Sequence, residues 1–201
     1  MIELPPPHRA AREDDALPMA ELVNMAGEGL PYYLWSGMAL AGQSAWEVGQ
    51  ERARRQAGGF SYRNTIVREE AGRVVASLVG YALDDDPEPV DYADLPPMFV
   101  PLQQLEDMAP GTWYVNVLAT YPDFRGRGYG RELLSIAEAI ARDAGRRGLS
   151  IIVADTNAGA RRLYERSGFR EQARRPMVKA QWRHPGTHWV LLLKDLPVLP
   201  G

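Results

Sequence analysis

The chain has 201 residues, 45% of them hydrophobic and 24% charged, an ordinary globular composition with enough length for one substantial core. A net charge of -3 weighs against a general nucleic-acid binder, and the lack of cysteine excludes disulfides, thiolate metal sites and a cysteine nucleophile. No run of about eighteen apolar residues offers a membrane span, and Met1–Pro7 lacks the basic and apolar regions of a secretion signal, so a soluble cytoplasmic protein is expected.

Residues 1–7 read as a disordered, proline-rich tail, and residues 8–196 as a single domain. His8 to Arg12 suits a short first strand, with Asp14 or Asp15 as N-cap of a helix carrying Leu17, Ala20, Leu22, Val23 and Met25 that Gly27, Gly29 and Pro31 end. Tyr32 to Leu40 is aromatic and apolar, and either packs the core or lines a pocket for an organic substrate. Ser44-Ala45-Trp46-Glu47 is a capping box that opens a second helix running to about Gln56. Phe60–Arg68 and Arg73–Tyr81 read as a β-hairpin turning at Glu69-Glu70-Ala71-Gly72. Residues 84–111 have the character of an insertion, acidic and proline-rich first, then a short helix within Met98–Met108.

The centre of the chain is Arg125-Gly126-Arg127-Gly128-Tyr129-Gly130. Before it, Trp113–Thr120 is rich in β-branched and aromatic residues and free of Pro and Gly, as in a strand. After it, Leu133, Leu134, Ile136, Ala137, Ile140, Ala141 and Ala144 recur at helical spacing. A glycine-rich loop between a strand and a helix exposes unpartnered N–H groups at the positive end of the helix, a cradle for a phosphate or diphosphate. The dinucleotide fingerprint fails because residue 131 is Arg131, and a P-loop would need a Gly-Lys-Ser/Thr that is absent. Downstream, Leu149–Ala154 reads as a strand, Gly168 as a helix C-cap, and Arg170–Val178 and His188–Leu193 as two last strands, the second interior. Residues 197–201 read as a tail.

The spacing R-x-x-G-x-G at Arg125, Gly128 and Gly130, then Leu149–Ala154, then N-x-x-A-x-x-L-Y-E-x-x-G-F from Asn157 to Phe169, resembles the GCN5-related N-acetyltransferase (GNAT) superfamily. Arg12-Glu13-Asp14-Asp15-Ala16-Leu17 adds a fainter match. The resemblance implies an α/β (α+β) fold, with a mixed, mostly antiparallel sheet of six to seven strands flanked by helices and a splayed central strand pair. It implies direct transfer of an acetyl group from acetyl-CoA, as co-substrate, to a primary amine of a small molecule or peptide. No metal is expected, since His8, His184 and His188 have no ligand spacing. A homodimer stays open, and neither nucleic acid nor membrane is expected as a partner.

By the same resemblance the backbone of Leu118, Ala119 and Thr120 pairs with the pantetheine arm, with the Leu118 N–H offered to the thioester oxygen. The amides of Arg125, Gly126, Arg127, Gly128, Tyr129 and Gly130 take the diphosphate, and the two arginines either contact phosphate or are solvated. Asn157 caps a helix and also bonds the arm. Tyr164, seven residues on along the same face, is the general acid and lies beside the cofactor. The carboxylate that some members carry on the strand before the Asn motif is replaced here by Ile152. Either a water wire through Tyr114 and Asn116, or a carboxylate such as Glu106, Asp107 or one of the N-terminal half, then removes the amine proton. A non-catalytic acyl-CoA-binding sensor is the competing reading. Finally, Met1–Phe124 holds 8 basic against 19 acidic residues and Arg125–Arg183 holds 14 against 6. These blocks are either ordinary solvated faces, or a basic half suited to a polyanionic cofactor and an acidic half suited to a cationic amine.

Overall fold

The computed structural model describes residues 3–197. Seven strands, β1 (His8–Ala10), β2 (Thr65–Glu70), β3 (Arg73–Ala82), β4 (Thr112–Thr120), β5 (Gly148–Ala154), β6 (Arg170–Pro176) and β7 (His188–Asp195), form one sheet in the order β1-β2-β3-β4-β5-β7-β6. Six α-helices accompany it: α1 (Ala16–Ala26), α2 (Leu30–Met38), α3 (Ala45–Ala53), α4 (Val100–Glu106), α5 (Tyr129–Asp143) and α6 (Ala158–Arg166). The sheet is mixed and mostly antiparallel: β1 with β2, β2 with β3, β5 with β7 and β6 with β7 are antiparallel, and β4 with β5 is parallel. The chain divides into two compact units, one of residues 3–81 and 116–136, the other of residues 82–115 and 137–197.

In the first unit α1, α2 and α3 pack on one another over β1, β2 and β3. The capping box forms as expected: Ser44 Oγ accepts from the Glu47 amide, and the Glu47 carboxylate accepts from the Ser44 amide at 2.7 Å. Pro31, expected to end a helix, instead sits in the first turn of α2, where its missing N–H would have had no partner. This turns Tyr32–Met38 into a helix whose Trp35 is buried between Trp46 (6.2 Å, edge-on) and Phe60 (6.1 Å, stacked). Gly49 of α3 meets that indole so closely that a Cβ there would lie 2.6 Å from the ring.

Other departures have local causes. Asp15 makes no side-chain cap for α1; its carboxylate accepts from the Arg12 amide (2.7 Å) and from both terminal nitrogens of Arg9 (2.7 and 2.9 Å) in a short 3-10 turn over Glu13–Asp15. Burial would raise that carboxyl, but these partners outweigh it and hold it below its usual value. Leu17 is exposed rather than packed. The expected strand from Phe60 begins only at Thr65, because Ser61 and Thr65 hydroxyls bond local backbone over the Tyr62–Asn64 turn. Ala71 and Gly72 both take positive φ (47° and 77°) at the hairpin, the reversal that matches strand twist.

In the second unit Thr112–Val115 of β4 register with Gly148–Ile151 of β5, locked by a buried 2.7 Å bond between the Thr112 and Ser150 hydroxyls. β7 lies between β5 and the edge strand β6, and Val190, Leu191 and Leu192 are fully buried, in keeping with its apolar run. Residues 84–111 leave and re-enter at adjacent bonds, Leu83 N–H to Thr112 O (2.8 Å) and Gly111 N–H to Asp84 O (2.9 Å). Within them α4 buries Pro101 and Leu105 and packs on β6 and β7. Residues 1, 2 and 198–201, parts of the two expected tails, lie outside the described residues; in the first tail, the Pro5 and Pro7 carbonyls accept from the His8 and Glu69 amides, each at 3.0 Å.

Two glycine replacements in neighbouring helices should act in opposite directions. Gly49→Ala drives a methyl into the Trp35 ring and should cost about 1–3 kcal/mol. Gly37→Ala meets open space in α2 and should stabilise by roughly 0.4–1 kcal/mol. Urea midpoints for the two variants check this.

Candidate active site

The first unit holds the glycine loop. β4 ends at Thr120, a 3-10 turn spans Pro122–Phe124, and α5 begins at Tyr129. Gly126 and Gly128 have φ of 75° and 88°, conformations that only glycine takes without strain, and a Cβ at either would meet nothing within 4 Å. The glycines are therefore required by backbone direction, and the space over them is open. Among the described residues the amides of 126–130 meet no backbone acceptor, whereas those of Arg131 and Glu132 both donate to the Gly128 carbonyl (2.9 and 3.1 Å). Several N–H groups are thus left together at the positive end of a 15-residue helix. That is a fit for a diphosphate, by geometry and by charge.

The two arginines of the loop are engaged with protein. Arg125 Nε donates to the Thr120 carbonyl at 3.1 Å, closing the turn from β4. Arg127 donates to the Asp123 carbonyl (3.3 Å) and to Glu70 (3.5 Å), with its guanidinium 5.0 Å from the Phe124 ring centre. Behind the loop, Arg68 bonds Glu132 at 2.6 Å, its guanidinium lies 3.7 Å from the centre of the Tyr129 ring, and the Tyr129 hydroxyl donates to Glu70. None of Arg68, Glu70 and Glu132 stood out in the sequence. No spacing signal could reveal them, since β2 and α5 are about sixty residues apart along the chain.

The second unit holds the Asn157–Phe169 segment. The Asn157 side chain accepts from the Ala160 amide at 3.1 Å, so its capping role is present. Tyr164, on α6, is only 4% exposed and its ring lies 5.8 Å from that of Phe169, in a tilted pair. Burial pushes the phenol well above its usual value, so at neutral pH it is protonated. Gly168 takes a φ of 91°, and the Phe169 amide bonds the Tyr164 carbonyl at 3.0 Å, which completes the expected helix end.

On β4, Tyr114 is buried, Asn116, Leu118 and Thr120 are half-buried, and Ala119 is buried, so the strand alternates from Asn116 onward. Of the carboxylates considered as base, Asp107 is taken up by Tyr92 (2.6 Å) and Gln103 (2.8 Å). Among the described residues no group of three or more His, Asp or Glu side chains is arranged to hold a metal ion, and no helix is long and apolar enough to cross a membrane.

Asp155 carries a role that went unnoticed in the sequence. At the end of β5 its carboxylate accepts from the Thr187 amide (3.0 Å), the Thr187 hydroxyl (2.7 Å) and the His188 amide (3.1 Å), fastening the start of β7. Preceding it in the β6–β7 connection, Trp182 stacks between His184 (4.5 Å) and Trp189 (6.0 Å), and the Gly186 amide donates to His184 Nδ1 at 3.0 Å.

The model of the acetyltransferase (GNAT) family matches residues 33–169. The chain belongs to that family, whose members are N-acetyltransferases with acetyl-CoA as the acetyl donor. It is 43% identical over 58 residues to the uncharacterized N-acetyltransferase YycN of Bacillus subtilis (strain 168), a match that covers 29% of this chain and 37% of that protein. In fold it is similar to a crystal structure described as an acetyltransferase (TM-score 0.64, 20% identity, 94% of this chain and 99% of that one). It is also similar to an N-acetyltransferase from Staphylococcus aureus Mu50 (TM-score 0.60, 19% identity, 92% and 98%).

The Asp155 clamp has a pH signature. Burial would raise this carboxyl, but its bonds to Thr187 and His188 outweigh that and depress it in the folded state. Its contribution is therefore complete above the ordinary aspartate value of about 4 and fades as pH falls from there through the depressed value. Asp155→Asn should be less stable than the parent at pH 7, with the gap closing toward pH 3; denaturant midpoints at the two pH values measure it.

Proposed function

We propose that this protein transfers the acetyl group of acetyl-CoA to a primary amine of a small molecule or peptide, within a transferase domain of residues 8–196. The observation that carries the reading is the run of bare amides at 126–130, leading into the first turn of α5, in a chain that also has the family's Asn157 and Tyr164. Acetyl-CoA supplies the acetyl group as a thioester. The amides from Gly126 to Gly130, Tyr129 included, bind its diphosphate, whereas the Arg125 amide, expected to join them, is taken by the Pro122 carbonyl at 3.1 Å; the backbone of Leu118, Ala119 and Thr120 orients the pantetheine arm, and the Asn157 amide group adds a bond to that arm.

The chemistry has three further requirements, each met by a different group. The Leu118 N–H receives the negative charge that develops on the carbonyl oxygen as the amine attacks. Tyr164 gives its phenolic proton to the sulfur as the C–S bond breaks, a role open to a phenol, which is protonated at neutral pH at its ordinary value of about 10. The proton shed by the amine leaves through water ordered by Tyr114 and Asn116, since neither side chain is itself a base near neutral pH. The acidic balance of Met1–Phe124 favours a cationic acceptor. The reaction needs no metal, and the protein acts in the cytoplasm.

Tyr164→Phe separates the roles. It should lower kcat by about 10²-fold or more while the acetyl-CoA dissociation constant stays within about twofold. Release of free CoA against a panel of amines, followed by mass spectrometry, reads the first quantity and calorimetry the second. Equal loss of both would assign the side chain to binding, and tight acetyl-CoA binding with no release on any amine would favour a sensor.

A further inference from the structure

A loop that offers bare amides has to be held still by something other than those amides. Around 126–130 the side chains alternate: Gly126, Gly128 and Gly130 have none, and Arg127 and Tyr129 between them both reach Glu70 on β2. The Tyr129 hydroxyl donates to one oxygen of the Glu70 carboxylate, from which Arg68 Nη2 lies 3.6 Å away, and Arg127 Nη1 lies 3.5 Å from the other oxygen. One turn into α5, Glu132 takes Arg68 at 2.6 Å and lies 3.5 Å from His8 Nε2, His8 being the cross-strand neighbour of Arg68 in the β1–β2 ladder. Tyr129 is 7% exposed and the Arg68 side chain 12%, so the centre of this network is shielded from water.

From this geometry we propose that Glu70 and Tyr129 are positioning residues for the diphosphate cradle, an assignment that rests on the acetyl-CoA reading above. Two arginines face two carboxylates here, so the network brings no surplus positive charge to an anion. What it does is fix the direction of the backbone on either side of Gly128, through the one hydrogen bond that ties the first residue of α5 to β2. The loop's amides then converge before the ligand arrives, and the ordering cost is met during folding rather than on binding.

The charge balance makes the test sharp, because attraction and positioning predict opposite signs. If charge alone mattered, Glu70→Ala would remove a negative group beside two arginines and tighten CoA binding. Positioning requires that Glu70→Ala and Tyr129→Phe each raise the KM for acetyl-CoA, and the CoA dissociation constant, about tenfold, with the kcat of Glu70→Ala within about twofold. The double variant should be little worse than either single one, since each removes the bond between Tyr129 and Glu70. S-acetylpantetheine, a donor without the diphosphate, should be used equally well by the parent and by Glu70→Ala. The proposal is overturned if Glu70→Ala binds CoA as tightly as the parent or more tightly, or if it loses S-acetylpantetheine turnover in proportion. A parent protein that binds no CoA would sink the transferase reading instead.

Discussion

Main-chain N–H groups can hold a phosphate only if they have nothing else to bond, and most of what is distinctive in the first unit maintains that condition. A helix start supplies amides without intrahelical acceptors. Gly126 and Gly128 take positive φ, and no side chain grows from those positions to cover the amides beside them. The 3-10 turn at Pro122–Phe124 and the Arg125 bond to Thr120 fix where the loop leaves β4.

The second unit buries the Tyr164 phenol on α6. Tyr164 is held by its ring contact with Phe169 and by the helix end at Gly168, and burial rather than a neighbouring charge raises its proton affinity. The Asn157 cap sets where α6 starts, and Asp155, two residues earlier, joins the end of β5 to β7. These contacts lie within a dozen residues of one another or on adjacent strands, so the geometry around Tyr164 depends little on distant parts of the chain.

Short-range chemistry explains where reading along the chain succeeded. The capping box at Ser44, the glycine hexad, the Asn157 cap and the Gly168 helix end are all defined by bonds spanning three to five residues, and each is found where its spacing puts it. The failures come from residues with two uses. Pro31 can follow a helix or open one, Asp15 can cap a helix or serve an arginine, and Ser61 with Thr65 diverted a β-prone stretch into a turn.

By itself, then, the amino-acid order determined the family, the kind of fold, the glycine loop between strand and helix, and the helix ends at Asn157 and Gly168, because each follows from local periodicity, glycine backbone freedom or a motif confined to one stretch. Only the tertiary structure decided that Arg68 and Glu70 of β2 meet Tyr129 and Glu132 of α5, that both loop arginines are tied to protein, and that the Tyr164 ring is buried. Those facts depend on which strands become neighbours and how deeply a ring is covered, and no spacing along a chain encodes contacts between segments some sixty residues apart.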